Sequence, residues 1–124
     1  MRFDQQNGSL YVSEYKPALV PYAHPDALKL LFVRVPRLEG NSCAFEQRVG
    51  DRNVSVRLGF PESRLRSVDL AIGNCSASDY EGMRREYLVL LGDLSLEPRD
   101  YPWGTVTIGF MAQSGEMWIE VRYP

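Results

Sequence analysis

The chain has 124 residues, of which 44% are hydrophobic and 24% are charged, and its formal net charge is −2. This composition is typical of one globular domain, which we expect to span residues 1–124. A chain of this length buries roughly two-thirds of the surface that it exposes when unfolded, so its core needs neither a metal nor a disulfide. We therefore expect a monomer or a weak dimer that is stabilised by apolar packing.

The N-terminal residues do not resemble a signal peptide, because Met1-Arg2-Phe3-Asp4 is followed by polar residues. Apolar stretches such as Leu30–Val33 are far shorter than the about 20 residues of a membrane helix. These features predict a cytoplasmic protein that does not enter a membrane. Disulfides are rare in the cytosol, so we expect Cys43 and Cys75 to be free thiols.

The first third of the chain is divided by turn signals. Asn7-Gly8 favours a tight hairpin turn between strands at 1–6 and 9–15. In Ala27–Val35, a preceding Asp26 favours a helix, whereas the alternation of apolar residues favours a strand buried on both faces. We expect a strand over 29–35, which Pro36 would end because its ring disfavours helical geometry in the preceding residue.

The middle of the chain has the alternation of a second hairpin. Strands are predicted at 44–49 and 54–60, joined by a loop at 50–53, and a third strand at 67–72. The side chains expected to face the core are Phe45, Val54, Val56, Leu58, Val68, Leu70 and Ile72.

A helix is predicted from Ser78, because Ser78 and Glu81 have the spacing of a capping box. Apolar residues then recur at helical spacing, and Gly92 is a candidate left-handed stop near the end of the helix. The apolar stripe consists of Tyr80, Met83, Tyr87, Leu90, Leu91 and Leu94.

The C-terminal residues contain the clearest pattern in the chain. Tyr101-Pro102-Trp103-Gly104 precedes a predicted strand at 105–110, a turn at 113–115 and a second strand at 117–123. The order of elements predicts an α+β fold: an antiparallel sheet with one main helix packed on one face.

No strong chemical motif accompanies these elements. His24 is the only histidine, and together with Cys43 and Cys75 it lacks the close ligand spacing of a preorganised metal site. The glycines are dispersed and form no phosphate-binding loop. We therefore expect no catalytic residues, no metal and no cofactor, and predict that the protein is not an enzyme.

The charge is distributed unevenly. Residues 1–62 carry 8 positive and 7 negative side chains, whereas residues 63–124 carry 6 positive and 9 negative ones. An acidic C-terminal half argues against nucleic-acid binding, which requires clustered Lys and Arg, and suits a basic protein partner. The predicted partner-binding residues are the carboxylates Asp93, Glu97 and Asp100 with the neighbouring aromatics Tyr101 and Trp103.

The segment from Asp100 to Val106, with Gly115 and the strand at 118–123, resembles the closing hairpin of small α+β immunity proteins encoded beside bacterial polymorphic or contact-dependent toxins. This resemblance implies a non-enzymatic cytosolic protein that binds and blocks the catalytic domain of a cognate toxin, without a cofactor. From the acidic C-terminal half we hypothesise that this toxin is a basic nuclease or another cytosolic enzyme. The family has no universal binding motif, so the resemblance assigns no residues.

Two alternatives remain open at this point. One is a secretion chaperone, although those resemble dimers that begin with a helix that is not predicted here. The other is a small-molecule enzyme or carrier with a pocket between helix and sheet. A deep pocket near His24 or the cysteines would favour the second alternative, whereas a flat, acidic surface rimmed by aromatic residues would favour a protein binder.

Overall fold

The structure, a computed structural model, describes residues 1–124 and has the predicted α+β architecture. Its strands and helix are β1 (Arg2–Phe3), β2 (Leu10–Tyr11), β3 (Ser42–Val49), β4 (Arg52–Gly59), β5 (Ser67–Ile72), α1 (Tyr80–Asp93), β6 (Asp100–Tyr101), β7 (Gly104–Met111) and β8 (Glu116–Arg122). Two 3₁₀ helices occupy Pro25–Leu30 and Pro61–Ser63. None of the helices combines the length and apolarity needed to cross a bilayer.

Six strands form one antiparallel sheet in the order β3-β4-β5-β8-β7-β6, and β1 pairs with β2 separately. Side chains alternate between the two faces of the sheet, and one face is the core. Val56, Leu70 and Ile119 lie side by side across β4, β5 and β8, and all three are fully buried. The chain closes its sheet by inserting β8 beside β5, so the C-terminal hairpin completes the core.

Helix α1 covers this apolar face with its predicted stripe. Tyr87, Leu90 and Leu91 are buried in the same apolar cluster as the strands, which confirms these members of the stripe. Met83 is only partly buried. The prediction was wrong for Tyr80, which is 48% exposed because it lies at the first turn and packs edge-on against Phe110 near the rim of the sheet.

Neither end of α1 is formed by the residue that was predicted to form it. Asp79, not Ser78, is the N-cap, and its Oδ1 accepts a hydrogen bond from the Gly82 N–H at 3.2 Å. The left-handed residue at the C-terminal end is Ser95, with φ of 65°, rather than Gly92. The helix ends here because the chain has to turn after Leu94 for both Leu94 and Leu96 to be buried in the core.

The strand predicted at 29–35 was wrong. Residues Pro25–Leu30 form a 3₁₀ helix, which Pro25 initiates and His24 caps through a 3.1 Å hydrogen bond from the Asp26 N–H to Nδ1. Of the apolar residues here, Leu28 and Leu31 are buried, but Leu30 and Val33 are exposed. The alternation therefore does not reflect a strand buried on both faces.

The other hairpins match the prediction with changes at their turns. The loop between β3 and β4 is shorter than predicted, because Val49 pairs with Arg52 and only Gly50 and Asp51 lie between them. The N-terminal strands are only two residues long, and their loop spans residues 4–9. Asp4 and Asn7 accept hydrogen bonds from backbone N–H groups two residues later, and this local bonding replaces a longer ladder.

Candidate functional site

The second face of the six-stranded sheet is not covered by any other element. None of the side chains on its four central strands is buried, and many of them are small. We call this surface the open face; it consists of Ser55, Arg57, Ser67, Asp69, Ala71, Thr105, Thr107, Gly109, Trp118, Glu120 and Arg122. Where these side chains are small, the backbone of another molecule can approach the sheet closely.

A group of charges occupies the centre of the open face. Strand register places Arg57, Asp69 and Glu120 side by side across β4, β5 and β8. Arg122 lies between the two carboxylates, with Nη2 at 3.5 Å from Asp69 Oδ1 and 3.4 Å from Glu120 Oε1. The contact with Asp69 is an ion pair without hydrogen-bond geometry, so Oδ1 is buried and has no hydrogen-bond donor. Burial raises the pKa of Asp69, and Arg122 opposes this effect.

Trp118 lies flat against the open face because its cross-strand neighbour is Gly109. A Cβ atom at residue 109 would overlap the indole ring, so only glycine leaves space for it. The indole N–H donates a 2.8 Å hydrogen bond to Glu120 Oε1, which fixes the ring orientation. The sheet thereby presents a half-buried, oriented aromatic side chain beside the charged group.

Beside Trp118, β5 and β8 separate. They pair from Ser67 opposite Arg122 as far as Leu70 opposite Ile119. If the register continued, the next pair whose side chains face the core would be Ile72 with Met117. The Tyr87 hydroxyl lies between these two residues: it accepts from the Ile72 N–H at 2.9 Å and donates to the Met117 C=O at 2.8 Å. Burial raises the pKa of Tyr87 above its already alkaline usual value, so the hydroxyl remains a hydrogen-bond donor. A side chain from α1 thus replaces part of the missing ladder and lies between the two strands.

The separated strands enclose a cleft of about 510 Å³ that opens onto the open face. This volume lies within the range of sites that bind small molecules or a large side chain. Most of the lining is apolar, and it consists of Ala71, Ile72, Cys75, Met83, Tyr87, Met111, Met117 and Trp118, with Arg57, Asp69 and Glu116 as its charged members. Unbranched methionines allow such a wall to adapt its shape to an occupant.

Cys75 is the only cysteine that lines the cleft, and its surroundings make it a weak nucleophile. Its thiol donates a 2.6 Å hydrogen bond to Glu86 Oε2, and the Ser76 hydroxyl donates to Oε1 at 2.9 Å. Burial raises the pKa of Cys75, and Glu86 raises it further. The hydrogen bonds from Cys75 and then Ser76 lower the pKa of Glu86. The pair therefore consists of a protonated thiol and a carboxylate, whereas a nucleophilic cysteine requires a thiolate.

The other candidate chemical groups lie apart from the cleft. His24 caps the first 3₁₀ helix and does not line the cleft. Cys43 is buried in β3, and both cysteines are free thiols. No histidine or second cysteine therefore accompanies Cys75 in the cleft.

Tyr101 and Trp103 pack mainly within the chain. Their rings stack with centroids 4.8 Å apart, and Tyr101 is only 7% exposed. The Tyr101 hydroxyl accepts from the Glu97 N–H at 2.9 Å, while the Trp103 indole N–H donates to the Gln5 C=O at 2.7 Å. The two aromatic residues attach the N-terminal hairpin to the C-terminal one, and only the half-buried Trp103 has appreciable surface for a partner.

The three predicted carboxylates are exposed but do not form one patch. Asp93 contacts Arg52 at the start of β4, at 3.5 Å, whereas Asp100 lies on β6 at the opposite edge of the sheet. Four strand spacings separate β4 from β6, or roughly 19 Å. Asp100 pairs with Thr105, so its side chain is on the same side of the sheet as the open face. The Oε2 atom of Glu97 lies 3.9 Å from Nε of Arg99.

Sequence reasoning missed the cleft and most of the open face. One signal was available, because a glycine inside a predicted strand often marks close approach by another group, and Gly109 marks the position of Trp118. The bridging hydroxyl of Tyr87 had no such signal, since the stripe of α1 predicts only that Tyr87 is buried.

Comparison with protein-family models, with curated proteins and with solved structures gives no match for this chain.

Proposed function

We propose that this protein is a non-enzymatic, cytoplasmic immunity protein that binds and neutralises a cognate bacterial toxin domain through the open face. The observation that carries this proposal is the open face itself, an uncovered sheet surface with a fixed tryptophan and an adjoining cleft. Flat surfaces with a central aromatic anchor and a pocket suit protein recognition, because a few buried contacts supply most of the binding free energy.

The charges of this surface support a protein partner with a complementary mixture of groups. Two arginines and two carboxylates are grouped at its centre, namely Arg57, Arg122, Asp69 and Glu120, and Asp100 adds a negative charge at its β6 edge. Such patterns select one partner against others more than they raise affinity. The net charge of −2 favours a basic partner such as a nuclease domain, because unlike charges speed the encounter.

The proposal is tested with the protein encoded beside this chain's gene. We expect this neighbour to arrest growth when it is expressed alone, and co-expression of the chain to restore growth. Trp118→Ala should weaken binding in a titration of the purified pair, since truncation of an interface anchor costs about 2 kcal/mol or more. The matched control is Arg84→Ala on the exposed side of α1. Absence of both binding and protection would contradict the proposal.

The cleft supports a second candidate, a carrier of an apolar small molecule. Its volume of about 510 Å³, its apolar lining and the presence of Cys75 meet the criterion that distinguishes this alternative. Native mass spectrometry of protein purified from its own host distinguishes the two. A carrier retains a bound small molecule that Ala71→Leu, which narrows the cleft, displaces; a protein binder has the mass of the chain alone.

A further inference from the structure

Strand β3 is an edge strand whose outer side is free to pair. It has eight residues and pairs along its whole length with β4. The Ser42 N–H and C=O both bond to Glu39, at 3.3 and 2.8 Å, so they point away from β4. Because backbone direction alternates along a strand, the N–H and C=O groups of Ala44, Glu46 and Arg48 point the same way. These groups have no backbone partner on that side.

Strand β3 lacks several of the usual protections of such an edge. Protein edges are commonly blocked by a proline, a bulge, a covering element or charged side chains. Strand β3 has continuous register without a proline, and its exposed charges, Glu46 and Arg48, are of opposite sign. The segment before β3 also presents exposed apolar side chains, namely Leu30, Val33, Val35 and Leu38. Phe32 from this segment packs against Phe45 of β3 with ring centroids 4.8 Å apart, so the apolar surface adjoins the free edge.

We propose that two copies of this chain pair antiparallel through β3, about a two-fold axis at Gln47, to form one continuous twelve-stranded sheet. In this register Glu46 lies opposite Arg48 of the second copy, and the reciprocal pair repeats the contact. Both residues have free outward N–H and C=O groups, so each pair also exchanges backbone hydrogen bonds. On the other face, Phe45 lies opposite Val49 of the second copy. The strand is therefore complementary to itself in charge and in its outward backbone groups, whereas Val49, which is 6% exposed, adds little apolar contact.

The neighbouring two-fold registers are less favourable. An axis at Glu46 or at Arg48 would place two copies of that charged side chain directly opposite each other, and like charges in that position destabilise a strand pair. An axis at Phe45 would require Ser42 to pair with Arg48, but Glu39 already uses the backbone groups of Ser42. The axis at Gln47 places opposite charges together and leaves the backbone groups of Ser42 bonded to Glu39; the outward groups of Glu46 and Arg48 pair, and Ala44 lies opposite Gly50 of the second copy.

A charge exchange tests this dimer. The molar mass of the purified chain is measured by sedimentation equilibrium over a dilution series from the millimolar to the micromolar range. We expect a reversible dimer, and we expect Glu46→Arg or Arg48→Glu to raise its dissociation constant about tenfold, because two pairs per dimer become repulsive. The double variant Glu46→Arg/Arg48→Glu exchanges the partners and should restore dimer formation.

Two further variants make the result specific. Glu46→Pro removes an outward N–H without affecting the bonds to β4 and should abolish the dimer. Glu81→Arg makes the same charge change on exposed α1 and should leave the dimer unchanged. Thermal unfolding followed by circular dichroism verifies that each variant is folded, and if Glu46→Pro unfolds, the charge exchange alone decides. A monomer at all concentrations, or a double variant as weak as the single ones, would overturn the proposal.

Discussion

The Tyr87 hydroxyl donates a 2.8 Å hydrogen bond to the Met117 carbonyl at the point where β8 has separated from β5. The same oxygen accepts from the Ile72 N–H, so one side chain of α1 satisfies a backbone group on each strand. An ordinary ladder would bring these strands together and close the cleft. The phenol therefore satisfies one backbone group on each strand while the strands remain apart.

Tyr87→Phe should lower the free energy of unfolding by about 2 kcal/mol, because it leaves a buried N–H and a buried C=O without partners. Denaturant unfolding measures this change, and hydrogen exchange at the Ile72 amide should accelerate. Tyr80→Phe is the matched control, since the Tyr80 side chain is half exposed and should change stability by less than about 0.5 kcal/mol. Equal effects of the two variants would show that the bridge is energetically unimportant.

Leu91→Ala should destabilise the protein by about 2–5 kcal/mol, since Leu91 is 1% exposed and its truncation leaves a cavity between α1 and the sheet. Val89→Ala, on the exposed side of the same helix, should have a far smaller effect. Urea titration of both variants measures the difference. A change below about half a kcal/mol for Leu91→Ala is inconsistent with its burial.

Trp103→Phe should loosen the N-terminal hairpin rather than the whole fold. The variant retains an aromatic ring but removes the hydrogen bond from the indole to the Gln5 C=O, at a cost of about 1 kcal/mol. Hydrogen exchange should accelerate at Asp4, whose N–H bonds to Ser9 within that hairpin. Trp118→Phe, on the open face, should leave this amide unchanged. No difference between the two variants would refute the attachment role of Trp103.

Charge neutralisation tests the predicted acidic contacts. If a basic toxin domain binds, Asp100→Asn and Glu97→Gln should slow its association and reduce the dependence of the rate on salt, because exposed charges act mainly on encounter. Asp93→Asn should have less effect, since Asp93 contacts Arg52 at the other side of the sheet. Stopped-flow association rates at several salt concentrations provide the comparison, and equal rates for all variants would remove these carboxylates from the interface.

Cys75 should react slowly with iodoacetamide near neutral pH, because its raised pKa leaves little thiolate. The reaction should accelerate as pH rises toward that pKa. Glu86→Gln removes the carboxylate that raises the pKa of Cys75, so the variant should react faster at the same pH. Peptide mass spectrometry separates Cys75 from the buried Cys43, which serves as an internal control. An unchanged rate in the variant would contradict the assigned coupling.

The raised pKa of Cys75 also has a consequence for stability. A group whose folded pKa lies above its unfolded value contributes fully below the unfolded pKa, and this contribution is lost as the pH rises through the folded pKa. Cys75 therefore contributes to alkaline rather than acid unfolding. Wild type should lose stability above about pH 9, the usual thiol range, more steeply than Cys75→Ser does.

Local patterns in the sequence determined the central and C-terminal hairpins, the strand at residues 67–72 and the buried stripe of α1. Each depends on contacts that are close along the chain: alternation of side chains within a strand, turn residues between paired strands and helical spacing. Where local bonding competed, as with Asp4 or the cap at His24, prediction of the length or type of the element failed.

Only the tertiary structure decided which residues lie together. Insertion of β8 beside β5 brings Asp69 next to Glu120, and separation of the same strands creates the cleft that Tyr87 lines. Strand order also placed Asp93 and Asp100, only seven residues apart in the chain, toward opposite parts of the sheet. These relationships depend on long-range pairing and burial, which no local pattern of side chains encodes.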